Sequence, residues 1–160
     1  MAIVTGQQIL AADVADLVNA VIKTADETVN NSNALQNDNE LLFAVGVNSE
    51  WIFQIKIGYI SAAAADIKFA ITIPAAATLA WTQSTYLDVA GSAAAGAWVT
   101  ASGTSAVSIG AAADRGITIS GSVITAGTAG NVQLQWAQST ADVSDTKVLL
   151  GSHIIYHKTG

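Results

Sequence analysis

The 160-residue chain has no cysteine, a single proline and few charges, and each scarcity narrows what it can be. Without cysteine there is neither a disulfide framework nor a thiolate metal site, so the fold must stand on packing alone. Charged residues make up only 11% of the chain, against roughly 25% in an average soluble domain. With 51% apolar residues, many of them alanine, a lone monomer would turn weakly polar surface to water, which points to burial in an oligomer or a lattice. Lys and Arg number 6 against 12 Asp and Glu, a net charge of −6. That leaves no basic patch for a phosphate backbone, so no nucleic-acid partner is expected. No run of about 18 apolar residues occurs, and the opening Met1 to Thr5 carries no basic lead. Neither a membrane span nor a signal peptide is therefore expected, and the chain reads as made and folded in a cytosol. Its length is that of one domain with a sizeable core.

The chemistry of catalysis is equally thin. The chain has 2 histidines, His153 and His157, and scattered carboxylates, so a Ser-His-Asp, Cys-His or multi-histidine metal site has little to draw on. On one strand the two histidines share a face about 13 Å apart, too far to bind a single metal ion. No glycine-rich loop follows a strand and opens a helix, which removes the usual nucleotide cradle. Asn37, Asp38, Asn39 and Glu40 resemble a calcium loop only superficially, since the glycine and the distal glutamate of that frame are missing. A side-chain-capped turn is the better reading. The expectation is a non-enzymatic protein without cofactor or metal.

What the chain does have is alternation. Trp51, Phe53, Ile55, Ile57 and Tyr59 alternate with Ile52, Gln54, Lys56, Gly58 and Ile60, and Ile67, Phe69, Ile71 and Ile73 alternate with Lys68, Ala70 and Thr72. The two runs read as a hairpin joined by Ser61 to Asp66, closed by Pro74, which cannot donate to a ladder. Shorter runs follow: Leu41 to Val47 before this pair, then Leu79 to Gln83, Ala97 to Ala101, Ala106 to Ile109, Ile117 to Thr125, Val132 to Gln138 and Val148 to His157. Turns are expected at Ala113-Asp114-Arg115-Gly116 and Gly127 to Asn131. Trp81, Tyr86 and Trp98 stand as aromatic islands in an Ala, Ser, Thr and Gly region; they read as plugs filling a sandwich, with a sugar-binding platform as the alternative. Trp51, Phe53, Ile55, Phe69, Ile71, Leu134 and Trp136 are the expected core.

Residues 1–28 differ from the rest. Thr5 and Gln8 have capping-box spacing, and Leu10, Val14, Leu17 and Val21 follow at intervals of four, three and four, which predicts a helix of about four turns with one apolar stripe. That stripe needs a cover, since so short a helix is marginal alone in water. The cover is the chain's own sandwich, a bundle of copies at a symmetry axis, or another protein. The expected organisation is an N-terminal helical arm over 1–28 and a β-sandwich over 29–160. The fold class is mainly β, an antiparallel jelly-roll-like sandwich of about eight strands preceded by one α-helix.

Several of these runs also form a pattern. Leu35-Gln36-Asn37-Asp38-Asn39-Glu40-Leu41, Phe43-Ala44-Val45, Trp51-Ile52-Phe53, the stretch Ala65 to Pro74 (ADIKFAITIP) and Val132 to Gln138 (VQLQWAQ) resemble a recurrent arrangement in small virion structural proteins of tailed bacteriophages. The resemblance covers roughly residues 24 to 157 and departs at Ala75-Ala76-Ala77, where the pattern has a glycine-rich turn. It implies a β-sandwich head-decoration, head-fibre or tail-associated protein, generally an oligomer. On that basis the expected function is a capsid decoration protein located in the virion and made in the host cytoplasm. Its expected partners are its own copies, as a homotrimer, and the major capsid protein or another virion protein. The residues expected to attach it are Leu10, Val14, Leu17 and Val21. The alternative is a tail-fibre or receptor- or carbohydrate-binding sandwich module.

Overall fold

A computed structural model describes residues 18–84, 96, 98–108 and 110–160. Among these residues the chain is built from strands: β1 (Asn19–Ile22), β2 (Glu27–Asn30), β3 (Gln36–Val45), β4 (Glu50–Ser61), β5 (Ile67–Thr72), β6 (Thr78–Gln83), β7 (Ser105–Ser108), β8 (Ala111–Ile124), β9 (Gly130–Gln138), β10 (Asp145–Val148) and β11 (His153–Lys158). They form a 7-stranded sheet and a 4-stranded sheet, antiparallel throughout. In the larger sheet β1 and β2 run on from one another along β11 and β10, and β11 and β10 do the same along one edge of β4. β8 lies on the other edge of β4, with β6 beyond it. The order of the smaller sheet is β3-β9-β5-β7. From β2 to β10 every connection passes from one sheet to the other.

Alternation puts one face of each strand inside. Phe53, Ile55, Ile57 and Tyr59 of β4, Leu79 and Trp81 of β6, Ile117, Ile119 and Val123 of β8 and Ile154 of β11 are buried. They meet Leu41, Phe43 and Val45 of β3, Ile67, Phe69 and Ile71 of β5 and Val132, Leu134 and Trp136 of β9. Six of the seven expected core residues are in this interior, while Trp51 is only half buried. It sits at the end of the sandwich, in an aromatic group where Phe43 stacks on Tyr156 with centroids 4.3 Å apart, and its Nε1 donates to Ser49 Oγ at 2.8 Å.

Several expectations need correction. The expected helix does not extend to residue 28: Val21 is in β1, paired with Ile154, and turns its side chain toward the core. The expected boundary after residue 28 falls inside β2, which pairs with β10. The backbone of residues 19–30 completes the edge of the larger sheet, and that pairing prevails over a helical spacing that Val21 alone extends into this segment. Leu10, Val14 and Leu17 lie outside the described residues. The expected hairpin is not one either: β4 and β5 lie in different sheets and face each other across the core. Two strands that each carry a complete apolar face bury more by packing face to face than edge to edge. The expected turn at Ala113 to Gly116 lies within β8, where Gly116 pairs with Gly58 and Arg115 with Tyr59. The closing strand is split by Leu149 to Ser152, with Gly151 at φ 82°. Of the Ala97 to Ala101 run, Val99 makes a single bridge to Trp81.

Ala76 and Gly121 are among the backbone positions that carry strain or tight contact. The turn at Ala75-Ala76-Ala77 is closed by the Ala77 amide donating to Pro74 O at 3.2 Å, and Ala76 sits at φ 61°. A left-handed alanine costs about 1–2 kcal/mol, and glycine gives back about 0.4–1 kcal/mol in unfolded-state entropy. Ala76→Gly should therefore raise the melting temperature slightly, by about 0.5 kcal/mol of stability on the balance of those two terms. At Gly121, between Phe53 on β4 and Trp81 on β6, an added Cβ would lie 2.6 Å from Phe53 Cζ, 2.7 Å from Ala80 O and 2.8 Å from Trp81 Cβ. The carbonyl oxygen cannot yield cheaply, so Gly121→Ala should cost about 2–3 kcal/mol in a urea titration. An unchanged midpoint would mean that the rings are not held over this glycine.

Candidate interaction surface

The faces that alternation turns outward differ sharply between the two sheets. On the smaller sheet the outer rows carry amides and a charge, among them Asn37, Gln133, Gln135 and Lys68, and the amides bond to one another: Gln135 Nε2 donates to Asn37 Oδ1 at 2.8 Å. The larger sheet presents Ala20 and Ile22 on β1, His153, Ile155 and His157 on β11, Ile52, Gln54 and Lys56 on β4, and Ser120, Ser122 and Ile124 on β8. Ile22, Ile52 and Ile124 are at least half exposed there, as is the adjoining Val18 at 64%. Val18, Ile52, Gln54, Ser120, Ile155 and His157 line a shallow depression at its centre. A broad face with exposed branched apolar side chains, and Lys56 and Glu50 among its few charges, is costly to leave in water and is what an association surface looks like.

The residues singled out from the sequence distribute unevenly over this geometry. Val21 faces the core, opposite to the surface, whereas its neighbours Ala20 and Ile22 are on the outer face. The two histidines do share a face, with Ile155 between them. His153 Nδ1 lies 3.0 Å from Gly151 O, and His153 pairs across the strands with Lys56. Of the aromatic islands Trp81 is a plug, fully buried, while Trp98 is 71% exposed; Tyr86 lies outside the described residues.

Asp38, Gln133, Gln138 and Asp66 occupy structural positions. Asp38 caps an irregularity in β3, where pairing with β9 breaks between Asn37 and Leu42: its Oδ1 accepts the amides of Glu40 at 3.0 Å and Leu41 at 2.8 Å. Gln133 Nε2 donates to the freed carbonyls of Asp38 at 2.9 Å and Leu41 at 3.4 Å. Gln138, fully buried, ties down the loop after β9 by donating to the carbonyls of Asp142 and Ser144 and accepting from the amides of Asp142 and Ser32. Asp66 holds a left-handed φ of 48° and accepts the Gly110 amide at 2.6 Å. No family model, curated protein or solved structure matches the chain. Its function is therefore argued from these residues and surfaces alone.

One participant was not singled out from the sequence. Lys23, the only Lys or Arg before Lys56, is buried beside Asp38 at 3.0 Å and Glu27 at 2.9 Å, with Glu40 Oε1 at 3.8 Å. Burial alone would favour the neutral amine, but hydrogen bonds to Glu27 and Asp38 and their charges outweigh it and hold the ammonium above its ordinary value. The available signal was a lone cation in an acidic stretch, which says nothing about burial.

Two half-buried carboxylates contribute to the acid limit. The Thr24 hydroxyl and amide donate to Glu40 at 2.7 and 2.8 Å and hold its carboxyl below the usual range; the Ser144 hydroxyl and amide do the same for Asp142. A depressed acid stabilises the fold above its unfolded pKa, and that contribution is lost as pH falls through the folded value. The melting temperature should hold down to about pH 4.5 and decline below it. Thr24→Ala with Ser144→Ala should lower the neutral plateau and flatten the acid decline; an acid limb of unchanged depth would remove these two groups from the account.

Proposed function

We propose that this chain is a non-enzymatic structural protein of a phage virion, a capsid decoration protein that binds the assembled head as a homotrimer. The observation that carries the reading is the outer face of the larger sheet, where Ile22, Ile52, Ile124 and Ile155 stand exposed in a chain with only 11% charged residues. A closed ring of copies or a shell surface covers such a face, whereas a monomer leaves it wet. Two further features support it. The strand orders β3-β9-β5-β7 and, with β1/β2 and β10/β11 each taken as one interrupted strand, β1-β11-β4-β8 with β6 added beyond β8 read as the two sheets of a jelly roll, an architecture shared by capsid and lectin domains. The residues of the virion-like pattern serve capping and loop closure, as expected of a motif that specifies a scaffold. Leu10, Val14 and Leu17, which lie outside the described residues, are the proposed attachment element.

Exposed Trp98 favours a second reading, a receptor- or carbohydrate-binding module of a tail fibre, because an unburied indole is a stacking platform for a sugar ring. Glycan-array binding lost in Trp98→Ala would support it.

Light scattering at micromolar concentration should give three times the 16.3 kDa chain mass. Ile52→Asp replaces an outward side chain, so it should leave the circular dichroism spectrum intact while weakening association at least about tenfold, because an unpaired charge would be desolvated at the contact. A monomeric parent, or an Ile52→Asp protein that assembles and co-sediments with empty capsids as the parent does, contradicts the proposal.

A further inference from the structure

Lys23 and Asp38 are the buried charged side chains among the described residues, and their geometry is unlike that of an ion pair built only for stability. A buried carboxylate normally spreads its hydrogen bonds over both oxygens, since a bare buried oxygen costs desolvation energy with nothing in return. Here every bond converges on one. Asp38 Oδ1 takes Lys23 Nζ at 3.0 Å and the amides of Glu40 and Leu41 at 3.0 and 2.8 Å, while Oδ2 is buried with no partner. Nζ in turn donates to Glu27 Oε2 at 2.9 Å, and Glu27 is held by the Asn39 amide at 3.1 Å and by Gln36 Nε2 at 3.2 Å. These are the parts an acyl substitution needs: an amine in contact with a carboxyl group, two fixed N–H donors on the oxygen where charge would collect, an acid–base group on the amine, and an oxygen free to leave.

We propose that Lys23 and Asp38 condense within the folded chain to an isopeptide bond between Nζ and Cγ, with Glu27 carrying the protons. Glu27 Oε2 takes a proton from the ammonium, and the freed lone pair attacks Asp38 Cγ. Negative charge collects on Oδ1 between the Glu40 and Leu41 amides. The two protons that leave Nζ pass by way of Glu27 to Oδ2, which departs as water, and Glu27 ends as it began. One ammonium and one carboxylate become one amide and one water, with no change in net charge and no oxidant or reductant. The resting form is the charged amine, but the event happens once per molecule between two buried groups, so a small neutral fraction suffices. Fixed contact of the two groups supplies the driving proximity, for which effective molarities of about 10⁵–10⁸ M are reached in well-oriented systems. The product would tie the junction of β1 and β2 to β3, across the two sheets, in a chain that has no cysteine for the purpose.

The mass of the purified full chain under denaturing conditions decides the matter. The expected value is one water below the sequence mass, after allowance for any loss of Met1. Cleavage after Glu27 should leave the fragments holding Lys23 and Asp38 joined although the chain between them is cut. Glu27→Gln and Asp38→Ala, checked for fold by circular dichroism, should each return to full mass. A parent protein at full sequence mass, or a missing water that maps to other residues, overturns the proposal; water loss persisting in Glu27→Gln overturns the role given to that carboxylate.

Discussion

Contact between the two sheets is what the rest of this molecule depends on. With no disulfide and few ion pairs, the chain is held by Phe53, Ile55, Ile57, Trp81 and Ile119 from one sheet against Leu41, Phe69, Ile71, Leu134 and Trp136 from the other. Each fully buried ring or branched chain removed from such an interface typically costs about 2–5 kcal/mol, a large part of the stability of a domain this size. The strand crossings follow from that need. Because every connection from β2 to β10 changes sheet, neighbours in sequence become opposite walls of the core, and the apolar face of each strand finds its cover across the sandwich.

The polar devices are subordinate to that packing and local in reach. Asp38, Gln133 and Gln138 satisfy backbone groups where a strand is interrupted or a loop closes, so the core can be shut without orphaned amides. Together they define a frame. Whatever the molecule recognises is assigned to surfaces that the frame presents, above all the largely apolar outer face of the larger sheet.

Alternation was legible where both faces of a strand have distinct fates. In β4, β5 and β9 the inward residues were readable one by one, because Ile55, Phe69 and Leu134 each sit between polar or small neighbours. Sheet membership was not, since period two says which side of a strand is apolar and nothing about which strand lies beside it. Hence β4 and β5 read as a hairpin. The short strand Asn19–Ile22 was silent: it is held by pairing with β11, an interaction over a long sequence separation, and its Val21 fits a helical stripe as well as a strand. At residues 37–40 the capping carboxylate was readable but the expected turn is an irregularity inside β3, and its buried partner Lys23 was not readable, because burial of a lone lysine depends on the sheet crossing above it. The outward apolar face was visible only as a low overall charge.

Amide hydrogen exchange along the first described strands tests the central claim, that one sandwich begins at residue 19 and is closed by its edge pairing. The Lys23 amide donates to Ser152 O at 2.8 Å and the Asn31 amide to Asp142 O at 2.9 Å. Both should be protected within the same cooperative unit as the amides of β4 and β9. Exchange of both at the rate of an open chain, while β4 and β9 remain protected, would show that residues 19–30 are not part of the sandwich and would contradict the account.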